Sequence, residues 1–567
     1  MHAESKKGKT RQLWRFHGGL HLPDQKELSL QRPLRQASLP KRLVLPLQQH
    51  IGAPAQPMVA VGDRVLKGAM IADSASPVTA PLHAPTSGTV VEIGEYPIPH
   101  PSGLADLCIV IEPDGLEAWS ELPQPISDFR SVDNQTLLRR IRDAGIVGMG
   151  GATFPAAVKL NPGKPIKTLI INGAECEPYI TCDDRLMRDF ADRVVNGARI
   201  LQQMLQSEEC LIAVEDNKPE AILALFQQLG AEETIEVVRI PTLYPSGGEK
   251  QLIRILTGRE VPSSGLPAQV GVICHNVSTT AAIAEAVLEG RPLISRLVTL
   301  SGEGIREPGN FHAPLGILAS DLIAQAGGYR GEPQQLILGG PMMGFDLATD
   351  RAPLTKGANC LLCLTAKEAP RPEPAKACIR CGRCADVCPA NLLPQQLYWY
   401  SRAKDLENAQ DYNLFDCIEC GCCSHVCPSH IPLVQYYRYA KAESWAMEQT
   451  RRESELAKQR HDFRVSRLER LEAERKAKLR KKKEALKSKP PVAKKPQAGK
   501  DGDEKAAKQA AIEAAMKRAA EKKTKQQLKP KNTQNLTPAQ QAQIEAADKR
   551  RNSAASNRGQ QDSEPSN

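Results

Sequence analysis

The sequence predicts a multidomain chain of α/β plus β class, with a cysteine-rich module and a charged helix running into a basic tail. Three observations predict it. Pro and Gly punctuate short strand-like runs up to residue 125. Strand and helix periods alternate from about residue 126. Two cysteine arrays of the same spacing stand at 378–388 and 417–427. At 567 residues the chain has length for about three or four domains. Hydrophobic residues (41%) and charged residues (25%) are at globular levels, but aromatics are only 4%, so part of the chain builds no core. Residues 451–567 hold 32 of the 75 Lys and Arg and 16 of the 65 Asp and Glu, a net +16 that leaves −6 on the rest.

Residues 1–125 read as strands and turns, with VGDRVLKGAMIA (61–72) and APTSGTVVEI (84–93) as strand pairs broken by glycine. Lys67 precedes Gly68 in an ordinary turn and is not the acceptor lysine of a carrier hairpin. In VDNQTLLRRIRDAG (132–145), Leu137, Leu138 and Ile141 share a helical face that ends at Gly145. IKTLIIN (166–172), CLIAV (210–214) and TIEVVRI (234–240) are buried-type strands, and the helix candidate PEAILALFQQLG stands between the last two. Such alternation predicts a parallel sheet with a ligand site at its carboxyl edge. Short strands return at 298–345. From 433 to about 488 the chain reads as a long charged helix. Beyond Lys489 it is Lys/Ala/Gln/Pro-rich and cannot offset its chain entropy by burial, so disorder is expected.

No run of about 18 apolar residues exists, so no membrane-spanning helix is expected. MHAESKKGKTRQLWRF lacks the apolar region of a secretory signal. Eight of the 16 cysteines stand in the repeated spacing of the two arrays, with Cys422 a ninth inside the second, which points to metal thiolates in a reducing compartment rather than a disulfide framework.

CIRCGRCADVCP and CIECGCCSHVCP both obey C-x2-C-x2-C-x3-C-P, as a two-cluster ferredoxin fold requires. Three close thiolates wrap one cube and the fourth faces the other. Cys378, Cys381, Cys384 and Cys427 therefore belong to one [4Fe–4S] cluster, and Cys417, Cys420, Cys423 and Cys388 to the second. Zinc fills one tetrahedron with four ligands and has no use for this doubled triple spacing. Cys422 is out of register and reads as a non-ligand. Cys360 and Cys363 read as packed thiols, and Cys108, Cys176, Cys182, Cys210 and Cys274 as structural.

GMGGATFPAAVK (148–159) is a glycine-rich turn into a helix, suited to an anion but equally to a tight turn. INGAECEP (171–178) ends a strand and YPSGGEKQLIRILTG (244–258) is another glycine-rich turn, so three such loops in one α/β unit favour a ligand site.

The runs GGATFPAAVK, NGAECEP and SGGEKQLI resemble the NADH- and FMN-binding subunit of respiratory complex I. With the β-rich start and the ferredoxin arrays downstream, residues 10–440 resemble the RnfC/RsxC family, which belongs to Rnf ion-translocating electron transport complexes. The resemblance implies a barrel-sandwich N-terminal domain (1–125) and a Rossmann-like FMN/NADH-binding domain (126–295). It further implies a β-grasp domain of SLBB type (296–350) and a two-cluster ferredoxin domain (365–440), before a charged helix (441–488) and a disordered tail (489–567). It places Gly148, Gly150, Gly151, Phe154 and Lys159 around FMN. Asn172, Glu175, Glu177, Gly247, Gly248 and Glu249 would line the flavin and nicotinamide pocket. Thr153, Ala174 and Gly248 depart from the family pattern, replacing a glycine, an acidic residue and a glutamate.

No acid–base triad is implied. The expected cofactors are two [4Fe–4S] clusters and FMN, with NADH as electron donor or acceptor. The expected enzyme is an ion-translocating oxidoreductase of NADH/ferredoxin type. Membrane subunits of the complex, NAD(H) and a ferredoxin are the implied partners, and the implied location is the cytoplasmic face of a bacterial inner membrane. A soluble flavin/iron–sulfur cobalamin reductase, or a scaffold with structural clusters, are the rival readings. The tail's charge suits an anionic membrane surface or simple solvation. Nucleic acid is disfavoured because the tail has almost no aromatic stacking platform.

Overall fold

The computed structural model describes residues 2–4, 10–230, 234–331, 333–371, 373–487 and 513–514. The chain divides into two compact units, 1–457 and 458–567. The expected disordered tail lies outside the described residues, apart from 513–514.

The N-terminal part holds two small antiparallel sheets. One orders Leu43–Pro46, Ala105–Pro113, Gly88–Pro97 and Arg64–Val65; the other has Gln56–Pro57, Met70–Asp73 and Leu82–His83. Leu45, Ile71, Val90, Ile109 and Ile111 are buried among one another. The alternation of burial along Gly88–Ile93 is what one buried sheet face demands.

The next part is a four-stranded parallel sheet in the order Ile235–Ile240, Glu209–Glu215, Thr168–Gly173, Val272–Asn276. Three of these strands follow from the sequence. The fourth does not, because VICHN is short and runs directly into its helix, Val277–Leu288. Helices Asn134–Asp143, Ala191–Leu205, Pro219–Gln228 and Val277–Leu288 share one core with one sheet face. Helix Glu249–Thr257 packs on the other face. Gly197 lets two of these helices touch, since a Cβ there would collide with the Thr280 carbonyl.

A six-stranded sheet follows: Phe345–Asp346, Gln335–Leu338, Cys360–Leu364, Ser295–Ser301, Gly309–Pro314 and Arg35–Gln36. This sheet draws strands from outside the expected span 296–350 as well as from within it. The cysteine pair 360/363 lies on a central strand with both thiols buried, and the N-terminal segment supplies an edge. The long helix runs Leu433–Lys487, beginning where its charged composition begins and eight residues before the 441 boundary that the resemblance implies, and Leu433, Val434 and Tyr437 are packed among the cysteine loops. Among the described residues no helix is long and apolar enough to cross a membrane.

Lys356 sits where the N-terminal sheets, the parallel-sheet part and this third sheet meet. Its ammonium donates to the Pro81 carbonyl (2.6 Å) and the Gly145 carbonyl (2.7 Å) and pairs with no carboxylate among the described residues. His50 and His83 lie close, and burial followed by Lys356 lowers their pKa values to about 4 and about 3. Burial lowers Lys356 itself to about 7. An unfolded lysine titrates near ~10.4. Between pH 7 and 10 the unfolded chain thus holds more protons than the folded one, and stability must rise with pH across that window. In urea unfolding at pH 7 and 9, the native chain should gain about 2 kcal/mol more than Lys356→Met. Equal gains would contradict the assignment.

Candidate flavin and cluster sites

The parallel sheet changes direction between Thr168–Gly173 and Val272–Asn276, and this switch point is where doubly wound sheets bind ligands. Asn172 and Asn276 are register partners at its carboxyl edge. The Asn172 side chain donates to the Gly247 carbonyl (2.8 Å) and accepts from the Ala174 N–H (3.0 Å), tying two of the predicted loops together. The third arrives from the other side. Gly148 N–H donates to the Phe154 carbonyl (2.8 Å), closing the loop, and Met149 N–H donates to Thr279 Oγ1 (2.9 Å). A Cβ on Gly150 would stand 3.3 Å from that of Asn276, whereas one on Gly151 would meet open space. Lys159 pairs with Glu249 at 2.6 Å, and Gly248 caps the helix that Glu249 opens.

Glu175 and Glu177 are held differently. The buried Glu175 carboxylate accepts from Asp183 N–H (2.8 Å) and Asp184 N–H (3.2 Å). Burial raises its pKa to about 7, against the pull of Lys26 and Lys218. Glu177 accepts from Met342 and Met343 N–H (2.7 and 2.9 Å). Both carboxylates are thus engaged by main-chain donors and fasten the loop that carries them.

Residues at the edge that the loop motifs do not mark are Asn276, Ser278 and Thr279. Asn276 caps helix Val277–Leu288, and with Ser278 Oγ it holds the Asp183 carboxylate at 2.6 Å. The signal for them was HNVSTT, an Asx/Ser turn at the end of an unrecognised strand. The buried Nε2 of His275 beside them has no hydrogen-bond partner among the described residues. This edge offers amide, hydroxyl, ammonium and glycine-loop N–H donors, a set that fits a phosphate-bearing flavin.

Thr153 carries local strain. It has φ +46°, rare for a β-branched residue. Its carbonyl accepts from Ile51 N–H (3.3 Å), and its Cγ2 lies against Gly357. Thr153→Gly should stabilise the chain by about 1 kcal/mol, the left-handed penalty exceeding the entropy cost of glycine. Denaturant midpoints check it, and a destabilised variant would show that the strain is not there.

Cys378, Cys381, Cys384 and Cys427 line one cavity of the cysteine module. Cys388, Cys417, Cys420 and Cys423 line a second, with Cys422. The two halves repeat at an interval of 39 residues. The left-handed positions Arg380, Gly382 and Asn391 recur as Glu419, Gly421 and His430. Each array therefore bends in the same places, and its first three cysteines curl around one void. The Leu392 N–H donates to Cys388 Sγ (3.4 Å), a contact of the type that sets cluster potentials. Four sulfurs in the repeated spacing stand around each void and fit a cube apiece, with Cys422 as a fifth thiol at the second.

The two cavities differ in surroundings. Cys381 is exposed, and Cys378, Cys384 and Cys427 are half-buried. Cys388, Cys420 and Cys423 are buried, the first and last in the module's own core and Cys420 beside Tyr244 of the parallel-sheet part. There Tyr244 Oη donates to the Cys420 carbonyl (2.7 Å), Gln251 Nε2 to the Pro389 carbonyl (3.3 Å), and His17 Nδ1 bonds the Cys388 carbonyl (2.8 Å). Lys250 pairs with Asp416 at 3.0 Å. Cys176 packs with Tyr244, Cys420 and Cys422, and accepts from Gly247 N–H (3.3 Å). Gly247 itself could not be alanine, because its Cβ would collide with the Ala174 carbonyl.

Four family models match in the order of the structure. They are the RnfC barrel sandwich hybrid domain (14–116), the Nuo51 FMN-binding domain (141–285), the SLBB domain (297–346) and a 4Fe-4S dicluster domain (377–431). The chain therefore carries an FMN-binding domain and a two-cluster [4Fe–4S] domain. It is similar to proteins described as subunits of an ion-translocating oxidoreductase complex. That of Pseudomonas aeruginosa is 54% identical over 406 residues, 71% of this chain and 52% of the relative. That of Erwinia tasmaniensis is 48% identical over 471 residues, 83% and 58%. That of Pectobacterium atrosepticum is 48% identical over 464 residues, 82% and 67%. The chain thus spans about half to two thirds of the length of these relatives. On this identity and domain order, the chain belongs to the RnfC family of ion-translocating oxidoreductase complex subunits.

Proposed function

We propose that this chain is the peripheral redox subunit of a membrane-bound electron transport complex. It passes electrons between NADH, by way of FMN, and its two [4Fe–4S] clusters, and partner subunits couple that flow to ion translocation. The observation that carries the reading is the placing of the second cluster cavity. It packs on the loop Tyr244–Gln251, which also forms one wall of the flavin cleft, while the first cavity has an exposed thiol. An entry end and an exit end follow.

In the reading, Gly148, Gly150, Gly151, Phe154, Lys159, Asn172, Gly247, Gly248 and Glu249 surround the flavin, and Glu175 and Glu177 hold the nucleotide-side loop. The flavin, when bound, supplies the exchange between a two-electron hydride donor and one-electron clusters. Lys159 and the glycine N–H groups bind and orient the phosphate, and Asn172 with Asn276 fixes the cleft edge. Residues 126–295 serve as the FMN/NADH domain, 296–350 with the strand 360–364 as a β-grasp platform, and 365–440 as the ferredoxin-type relay. Cys381 and the exposed Ile379 beside it face the partner, a membrane subunit or a ferredoxin. The basic segment from 451 holds the chain to the cytoplasmic face of the inner membrane, at about 1 kcal/mol per nearby basic residue.

NADH added to anaerobic, FMN-loaded protein should bleach the visible cluster absorbance, and FMN-free protein should respond far more slowly. No bleaching with FMN bound would overturn the electron-entry role.

A further inference from the structure

A cavity of about 580 Å3 lies beside the flavin cleft and opens on other parts of the chain. The N-terminal β part, helices Ala191–Leu205 and Val277–Leu288, and the strand Ser295–Ser301 all contribute to its wall. Met149 of the flavin loops and Ser278 of the cleft edge both line it. The volume is that of a small-molecule site, between roughly 300 and 1,000 Å3. Leu39, Leu186, Phe190 and Leu297 make much of the wall apolar.

One wall residue is out of balance. The Arg296 guanidinium is 3% exposed. Its Nε donates to the Ala358 carbonyl (3.1 Å), Nη2 to the Met149 carbonyl (3.5 Å), and Nη1 to the Met149 thioether (2.5 Å). All three acceptors are neutral, and a thioether accepts weakly. Asp183, the acidic group that acts on it electrostatically, is held by Asn276 and Ser278. The other cations on the wall have carboxylates of their own: Lys67 with Glu117, Arg193 with Glu285, and Arg291 with Glu289. A buried charge persists where something pairs with it.

The remaining polar groups suit a flat, singly charged molecule. Lys67 and Arg291 stand 5.2 and 5.7 Å from the Trp119 ring, so the aromatic surface is edged by positive charge. Ser295 Oγ bonds His312 Nε2 (2.8 Å), and His312 Nδ1 bonds Gln36 Oε1 (2.9 Å). Burial, then Arg193 and Lys67, lowers the His312 pKa to about 4, so this chain of groups adds polarity without charge at neutral pH. One surplus positive charge matches a carboxylate better than a phosphate dianion.

We propose that this cavity is a second ligand site, taking a small organic carboxylate with a flat apolar body and using Arg296 as its counter-ion. Its walls come from three parts of the chain, so occupancy would tie the N-terminal β part to the flavin domain. The inference rests on no part of the electron-transfer reading.

The test is calorimetric titration of anaerobic, FMN- and cluster-loaded protein with naphthoate, neutral naphthamide and inorganic phosphate. Naphthoate should bind at one site about tenfold or more tighter than naphthamide, since a charge-assisted fork to the guanidinium is available to it alone. Arg296→Met should remove that preference. Should that variant not fold, Ala282→Phe, which fills the cavity and leaves its charges alone, should abolish naphthoate binding. Equal affinity for naphthoate and naphthamide, binding of phosphate alone, or naphthoate binding that survives Ala282→Phe would each overturn the proposal.

Discussion

Replacing Cys388 by alanine will cost the chain the cluster of the other array. Cys388 belongs by sequence to the first array, but its thiol lines the cavity of Cys417, Cys420 and Cys423. The variant should fall from about eight to about four iron atoms per chain. The cluster that remains is that of Cys378, Cys381, Cys384 and Cys427. Because the lost cube is the one packed on the flavin side, NADH should no longer bleach the remaining cluster, although dithionite still should. Cys427→Ala should do the reverse, sparing NADH reduction of the flavin-side cluster. If Cys388→Ala instead destroyed the cluster of its own array, the crossed ligand sets would be wrong.

Lys218→Met should be the most damaging single change in the flavin domain that removes no cluster ligand. Lys218 and Glu215 are both fully buried and paired at 2.7 Å. Burial alone would lower the lysine pKa, but Glu215 and then Glu175 raise it, so the ammonium stays charged. Its Nζ also donates to Asn217 Oδ1 (2.9 Å) and the Glu175 carbonyl (3.4 Å), and Glu215 accepts from Ser246 Oγ (2.9 Å). The pair thus joins a strand end to both the 171–178 loop and the 244–249 loop. Methionine leaves Glu215 as an uncompensated buried charge, at a cost of about 3–5 kcal/mol in denaturant unfolding. FMN retention should fall with it, since the 171–178 loop loses its bond from Lys218 to the Glu175 carbonyl. The double variant Lys218→Met with Glu215→Met removes both charges and should recover most of the stability. A double variant as unstable as the single one would show that packing, not charge, is at stake.

Much of this architecture was legible before the structure. The cysteine arrays state their ligand spacing outright, because three thiolates must reach one cube from consecutive turns. The parallel strands 168–173 and 209–215 were visible as near-continuous apolar runs, as strands buried on both faces must be, and the edge strand 235–240 as an apolar run broken by Glu236 and the exposed Arg239. The strand 272–276 was not, since five residues flowing straight into a helix leave no turn signal. With it went Asn276, Ser278 and Thr279. The six-stranded sheet was also under-read. Its edge Arg35–Gln36 comes from far up the chain, and its centre, Cys360–Leu364, looked like a stray cysteine pair. Partnership across some 270 residues leaves no local trace. Glu175 and Glu177 illustrate a third limit: a motif names the residue, while burial and the nearest N–H groups decide what its carboxylate touches.

The measurement that bears most directly on the account is the metal and sulfide content of anaerobically purified protein, read with its EPR spectrum after dithionite. The account predicts about eight iron and eight sulfide per chain and the signal of two reduced cubes close enough to interact. Iron-free protein with zinc in the thiolate positions, silent in EPR, would contradict it.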